Sequence, residues 1–387
     1  MFESYLFPIS YAFLSFPIAA ALFTLPFLIV QYRRHGYINK YRSFLLYLFL
    51  LYLMNALFLV ILPLPATLHN DPPNVSSYMQ LVPFHFIDDI IRETGVKPES
   101  PSTYLHLLKE RAFLQVLFNV ILFIPFGIFL RYYFRFRWVT CLFASFGLSI
   151  FFEITQVTGI YWVFDYPYRL FDVDDLLMNT IGGMIGFVAA EWLSVLLPRI
   201  DKLDENTDLT KKRISYTRRS LAFLLDWVIL LPVLAVVAVF KIPYGYATLI
   251  VGYFIVVPYV TNGLTFGKWI VRIRLKGQGE RINVRELVIR YGLLYLPAGV
   301  LNVPLFSYWP PALLRLYTLA ILLFYAALAF NLLRCVFNRN RRPFYETKSG
   351  TNHVITLAKL NQKTSSVNFI HEGKVNRDSD QSGNQVF

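Results

Sequence analysis

Three short stretches of the chain set groups that can bind protons, cations or hydrogen-bond donors among otherwise apolar residues. Asn119 opens the run NVILFIPFG. Ser149, Glu153 and Gln156 stand at i, i+4 and i+7, which is one face of a helix. The third stretch, DVDDLLMNTIGGMIG, begins with Asp172, Asp174 and Asp175, and Asp175, Asn179, Gly182 and Gly186 share one face. Arg169, just upstream, is the natural counter-charge for Glu153 or for the aspartates. Such a set could bind a polar ligand, work as an acid and base through Glu153, or hold a cation on Asp172 to Asp175. A structural reading stands beside these: buried amides tie helices together, aspartates cap a helix N-terminus, and Gly182-x-x-x-Gly186 admits a close neighbour.

A second group lies further on. RRSLAFLLDWVILLP puts Arg219 and Asp226 seven residues apart on one helical face. A carboxylate about 10 Å into a bilayer needs a partner or a proton. Arg219, Lys268, Arg272, Arg290 and Arg334 are the basic candidates, and an Arg219–Asp226 ion pair that fixes orientation is the expected use. The rival use is a titrating carboxylate in proton- or ion-coupled transport, through Glu153 or Asp226.

The elements that hold these groups follow from composition. Of 387 residues, 56% are hydrophobic and 16% charged. Soluble domains run nearer about 25% charged, so a cytosolic enzyme is excluded and an integral membrane protein is implied. The net charge is +13, but the basic residues punctuate apolar runs, which points to lipid headgroups and not to nucleic acid. The two cysteines, Cys141 and Cys335, make neither a disulfide framework nor a metal site. HExxH, GxSxG and Cys/His ligand sets do not occur, and the clustered carboxylates match no Ca²⁺ or Mg²⁺ loop, so no cofactor is expected.

A helix needs about 20 apolar residues to cross a bilayer. Nine runs qualify: 10–31, 43–62, 112–130, 138–157, 175–197, 220–240, 246–262, 287–306 and 312–334. The expected fold is therefore an all-α polytopic membrane protein of about nine transmembrane helices. Pro232, Pro258, Pro297 and Pro304 interrupt the later runs, as is tolerated where neighbours satisfy the freed carbonyls. The start carries Glu3 and no basic stretch, so the first run is expected to stay in the mature chain.

Loop charge orients the spans. Segment 32–42 is basic without an acid, 131–138 likewise, and 198–219 has seven basic against four acidic residues. Segment 63–111 has four basic against six acidic, and 157–175 has Arg169 against Asp165, Asp172, Asp174 and Asp175. The alternation predicts cytosolic basic loops and an external N-terminus. Asn119, Glu153, Gln156 and Asp175 then all lie in the outer leaflet.

Polar residues 198–217 read as a cytosolic linker between a five-helix unit, 1–197, and a four-helix unit, 218–356. Residues 357–387 read as a disordered cytosolic tail. Within the second unit Val271, Ile273 and Leu275 alternate with Arg272, Arg274 and Lys276, and Gly277-Gln278-Gly279 follows. That pattern predicts a short amphipathic β-hairpin on the cytosolic surface, to which 352–358 could add a third strand. Its basic edge would face anionic headgroups.

The combination NxxLFIPFG, SxxxExxQ, RxFDxDDxxxN and GxxxG, with QLVPF at 80–84, resembles the VanZ-like family over roughly residues 10–197. By position, Asn119, Gly127, Glu153, Gln156, Arg169, Asp172, Asp175, Asn179 and Gly182 fall on family-typical sites. The resemblance implies a bacterial cell-envelope protein, in some members one that lowers susceptibility to glycopeptide antibiotics. Membrane lipids, with a cell-wall precursor or glycopeptide, are the partners it implies, in a Gram-positive plasma membrane. It supplies no established reaction, and an intramembrane enzyme stays open as an alternative.

Residues 214–356 resemble a second family, RDD, through RxxAxxxD, NGxTFGKxxxxxRL and RRPFYETKSGT. Arg219 and Asp226 match the first two residues of its name, and Lys268 lies in the middle motif. The terminal motif usually carries His-Asp, where this chain has Tyr345-Glu346; Glu346 keeps the charge and the preceding imidazole is lost.

Overall fold

Apolar runs of this length become helices because a helix satisfies its own backbone groups away from water. The structure, a computed structural model, describes residues 2–72, 77–93, 110–204, 214–302, 311–337 and 342–356. Among the described residues seven helices are long and apolar enough to cross a membrane: Leu6–Arg34, Lys40–Ile61, Arg111–Tyr133, Trp138–Val157, Val173–Leu196, Tyr216–Val239 and Leu313–Cys335. The protein is a multi-pass membrane protein, mostly helical, with two small two-stranded sheets. Two expected runs take other forms. The run 246–262 becomes a shorter apolar helix, Gly245–Val260, interrupted by a π turn at Gly252–Val256. The run 287–306 overlaps Val284–Asn302, whose early turns carry Arg285, Glu286 and Arg290, and its end lies outside the described residues. The expected tail, 357–387, also lies outside them.

Contacts divide the chain into two units, Met1–Thr24 with Asn39–Thr207, and Leu25–Ile38 with Asp208–Phe387. A division at the polar linker alone does not separate the segment 25–38, which packs within the second unit.

The first unit holds the start of α1 (Phe2–Arg34), then α2 (Lys40–Ile61), β1 (Met79–Gln80), α3 (His85–Glu93) and α4 (Arg111–Ile128). After these come α5 (Trp138–Val157), the left-handed single turn α6 (Gly159–Trp162), β2 (Phe171–Asp172) and α7 (Val173–Leu196). Its core gathers Phe123, Phe126, Leu130, Cys141 and Phe152 around Ala56. The expected close approach at Gly182-x-x-x-Gly186 is made by α4. A Cβ on Gly182 would strike the Val120 carbonyl, one on Gly186 the Ile124 carbonyl, and one on Gly127 the Gly183 carbonyl. β1 pairs in parallel with β2, Met79 opposite Phe171 and Gln80 opposite Asp172, which ties the long loop to the start of α7. The first part of the linker is held as well: the buried Arg42 donates to Asp204 at 3.0 Å, and Arg135 pairs with Asp201 at 3.2 Å.

The second unit contains α8 (Tyr216–Val239), α9 (Gly245–Val251), α10 (Val257–Val260), α11 (Phe266–Ile270) and β3 (Ile273–Lys276). It continues with α12 (Val284–Asn302), α13 (Pro311–Phe337), α14 (Phe344–Ser349) and β4 (Asn352–Ile355). Arg218, only 1% exposed, donates to the carbonyls of Val271 at 2.7 Å, Arg272 at 3.0 Å and Gly36 at 2.7 Å. Its guanidinium also lies 4.8 Å over the Tyr32 ring. The stretch between α8 and β3 thus returns the chain to the end of α8 where it began. Gly263, at φ 94° beside the Leu275 carbonyl, makes the return turn that a side chain would block.

The local hairpin is corrected. β3 pairs antiparallel with β4, Ile273 opposite Ile355 and Lys276 opposite Asn352, and 352–355 is its sole partner among the described residues. The turn donors are taken by Glu286, which accepts from the Gln278 and Asn283 amides, each at 2.9 Å. A carboxylate on the first turn of α12 thereby ties Gln278 and Asn283 to the helix start, and the Ile282 amide donates to Asn262 at 3.0 Å, so these amides serve no local ladder.

Candidate functional site

The face predicted on α5 meets the face predicted on α7. Asp172 caps α7, its side chain accepting from the Asp174 amide at 2.8 Å, and its own amide donates to the Glu153 carboxylate at 3.0 Å. The Asn119 amide donates to Asp175 at 2.5 Å. Behind them Ser149 is fully buried: its hydroxyl accepts from the Asn179 amide at 2.9 Å and donates to the Asp175 carbonyl at 3.5 Å. Gln156 donates to the Val60 carbonyl at 2.8 Å, which joins α5 to the end of α2.

These groups floor a cavity of about 1160 Å³. Asn119, Glu153, Gln156, Arg169, Asp172, Asp175 and Asn179 all line it, while Ser149 supports it from behind. Leu59, Val60, Phe118, Leu122 and Phe152 form apolar wall. Asn179 is 4% exposed, and its Oδ1 has no hydrogen-bond partner among the described residues. Burial pushes the Asp172 carboxyl above its ordinary value, with the Asp174 amide opposing the rise.

Arg169 lines the cavity and donates to the Leu62 carbonyl at 3.2 Å; among the described residues it reaches no carboxylate within 4.0 Å, and its charge acts on Glu153 and Asp175 from farther off. One placement differs from the expected cluster. Asp174 is turned away from the cavity and accepts from the Phe84 and Phe86 amides at 2.6 and 3.0 Å, pinning the start of α3.

Sequence reasoning missed His85, Asp89, Arg111 and Gln115, which also line the cavity. The signal was present: Arg111, Gln115 and Asn119 repeat every four residues, and His85 and Asp89, 3.1 Å apart, do the same on α3. Gln80 closes its own turn, exchanging hydrogen bonds with the Val82 carbonyl and amide at 2.7 and 2.8 Å.

In the second unit the expected Arg219–Asp226 pair does not form. Seven residues separate the two by about 10 Å along α8, and a different element packs at each level. Asp226 accepts from the Tyr253 hydroxyl at 2.7 Å, the Gly267 amide at 2.6 Å and the Thr265 hydroxyl at 2.8 Å, with Lys268 Nζ 3.9 Å away. Lys268 donates in turn to Thr265 and Tyr291, both at 3.1 Å.

Arg219 instead meets Glu346, at 3.0 and 3.1 Å, and Arg290 reaches the same carboxylate at 3.1 Å. Burial pushes the Glu346 carboxyl up, but His353, Arg290 and Arg219 outweigh it and hold the group down at about 2. The imidazole missing at 345 is answered from β4, where His353 Nδ1 lies 3.0 Å from Glu346 Oε1. Burial of the ring, with Arg290 and Arg219 adding, outweighs the pull of Glu346 and pushes His353 down to about 3, so the ring is neutral.

Among the described residues no group of three or more His, Cys, Asp or Glu side chains is arranged to hold a metal ion. Neither a curated protein nor a solved structure matches the chain significantly. Family models do match: residues 49–194 fit the family described as VanZ/LLP1, and residues 214–344 fit the RDD family. The chain joins a VanZ-like domain, which carries the cavity, to an RDD-family domain.

Proposed function

We propose that the first unit is a bacterial cell-envelope protein that binds the polar end of an envelope component in its cavity. By occupying or shielding that component it lowers the access of glycopeptide antibiotics. One observation carries the reading: a floor of Glu153, Asp172, Asp175 and Asn179, whose buried Oδ1 lacks a partner among the described residues, under apolar walls. A buried acceptor without a donor costs about 1–3 kcal/mol, so such a floor favours a ligand that supplies donors. Apolar walls favour a ligand that also carries hydrocarbon.

The reading includes nine spans with the N-terminus outside, which sets the cavity toward the exterior. The return of the chain to Arg218 supports a crossing by Gly245–Val260. Transport through Asp226 finds less support, since three donors and Lys268 already surround that carboxylate.

The test is the minimal inhibitory concentration of teicoplanin in a sensitive Gram-positive host expressing the full chain. Wild type is expected to raise it. Glu153→Gln, which keeps the acceptor for the Asp172 amide but removes the charge, is expected to abolish the rise at matched membrane levels. Absence of any rise with wild type overturns the reading.

A further inference from the structure

The helix α3 is nine residues long and divides into four stripes. His85 and Asp89 line the cavity. Phe86 and Ile90, next around the helix, are partly buried. Ile87 and Ile91 follow, bare at 45% and 67% exposure, and Asp88 and Arg92 complete the turn as an exposed charged stripe. The residues leading in, Leu81, Val82 and Phe84, are also bare. Among the described residues, half of the apolar arc thus has a protein neighbour and half has none.

Depth argues what covers the bare half. Asp174 holds the amides of Phe84 and Phe86, and it is the second residue of the span Val173–Leu196. The strand pair Met79–Phe171 and Gln80–Asp172 anchors the lead-in at the same level. The helix α3 therefore starts where a membrane span ends, at the boundary between headgroups and hydrocarbon. It packs on α4, itself one of the spans. A short helix at that depth, apolar on one side and charged on the other, is built to lie in the interface.

We propose that α3 is an interfacial helix, its Ile87–Ile91 stripe and Phe84 seated in the acyl region of the adjoining leaflet. Its Asp88–Arg92 stripe faces water, and the lipid surface holds His85 and Asp89 at the rim of the cavity.

The test uses the full chain in lipid nanodiscs, with Ile87→Cys, Ile91→Cys, Asp88→Cys and Arg92→Cys each labelled with a fluorophore. The native Cys141 and Cys335 are buried, and labelled wild type serves as the blank. A nitroxide near the top of the acyl chain is expected to quench the two isoleucine sites at least about twofold more than the two charged sites. Aqueous iodide is expected to show the reverse order. Phe84→Cys replaces either isoleucine variant that fails to fold. Equal quenching at all sites overturns the proposal. So does shielding of Ile87 and Ile91 from both quenchers, which would mean cover by protein, either residues 94–109 or a second copy.

Discussion

The Asp172 main-chain amide donates to the Glu153 carboxylate at 3.0 Å, so the residue that caps α7 is also the one that orients the acid on α5. One backbone position thereby fixes both the start of a helix and the direction of a buried charge. Because the donor is main chain, any substitution of Asp172 other than proline keeps the N–H, whereas changes at Glu153 remove its acceptor.

Glu153→Ala leaves that amide without an acceptor and is expected to cost about 1–3 kcal/mol, whereas Glu153→Gln keeps one and should cost less than about 1 kcal/mol. Thermal unfolding of purified protein in detergent measures both. Equal losses would mean that the hydrogen bond contributes nothing.

Gly182→Ala drives a methyl into the Val120 carbonyl and is expected to separate α4 from α7, with clear loss of folded yield. Gly147→Ala, on α5, meets nothing within 4 Å and should be neutral or stabilise by up to about 1 kcal/mol. Size-exclusion profiles of the two variants, expressed in parallel, give the comparison.

Arg218→Lys is expected to destabilise the second unit by about 3 kcal/mol, because an ammonium cannot reach three carbonyls in the directions a guanidinium does. Arg219→Lys, at the more exposed neighbouring position, should cost markedly less, since one carboxylate is its partner. Melting temperatures that fall equally would contradict the division of labour between them.

His353 is pushed down from 6.5 to about 3 in the folded chain, so the unfolded chain binds the proton first on acidification. Its stabilising contribution is complete above 6.5 and is lost as pH falls toward 3, and Glu346, held at about 2, loses its share lower still. Between pH 6.5 and about 5 the expected loss is about 2 kcal/mol. His353→Gln should flatten the melting temperature across that interval, and an unchanged slope would show that the ring titrates freely.

Much of the first unit was legible because its groups repeat at helical spacing inside apolar runs. Ser149, Glu153 and Gln156 do face Asp175 and Asn179. What could not be read were choices between chemically equal partners. Arg218 and Arg219 are adjacent and identical in type, yet one is spent on the carbonyls of Val271, Arg272 and Gly36 and the other on Glu346. Arg169 had four acids nearby in sequence and took a carbonyl. The strand at 273–276 was readable from its period of two, and 352–358 as an added strand; what local pattern could not show is that this segment, some 80 residues on, pairs directly in place of the nearby hairpin arm.

The helices α4 and α7 meet backbone to backbone at Gly182 and Gly186, about 10 and 16 Å along the axis from Asp175. The spacing these glycines set is carried along both helices to the Asn119–Asp175 hydrogen bond on the cavity floor. The width of that floor is therefore set in part by residues that do not line it and have no side chain to offer.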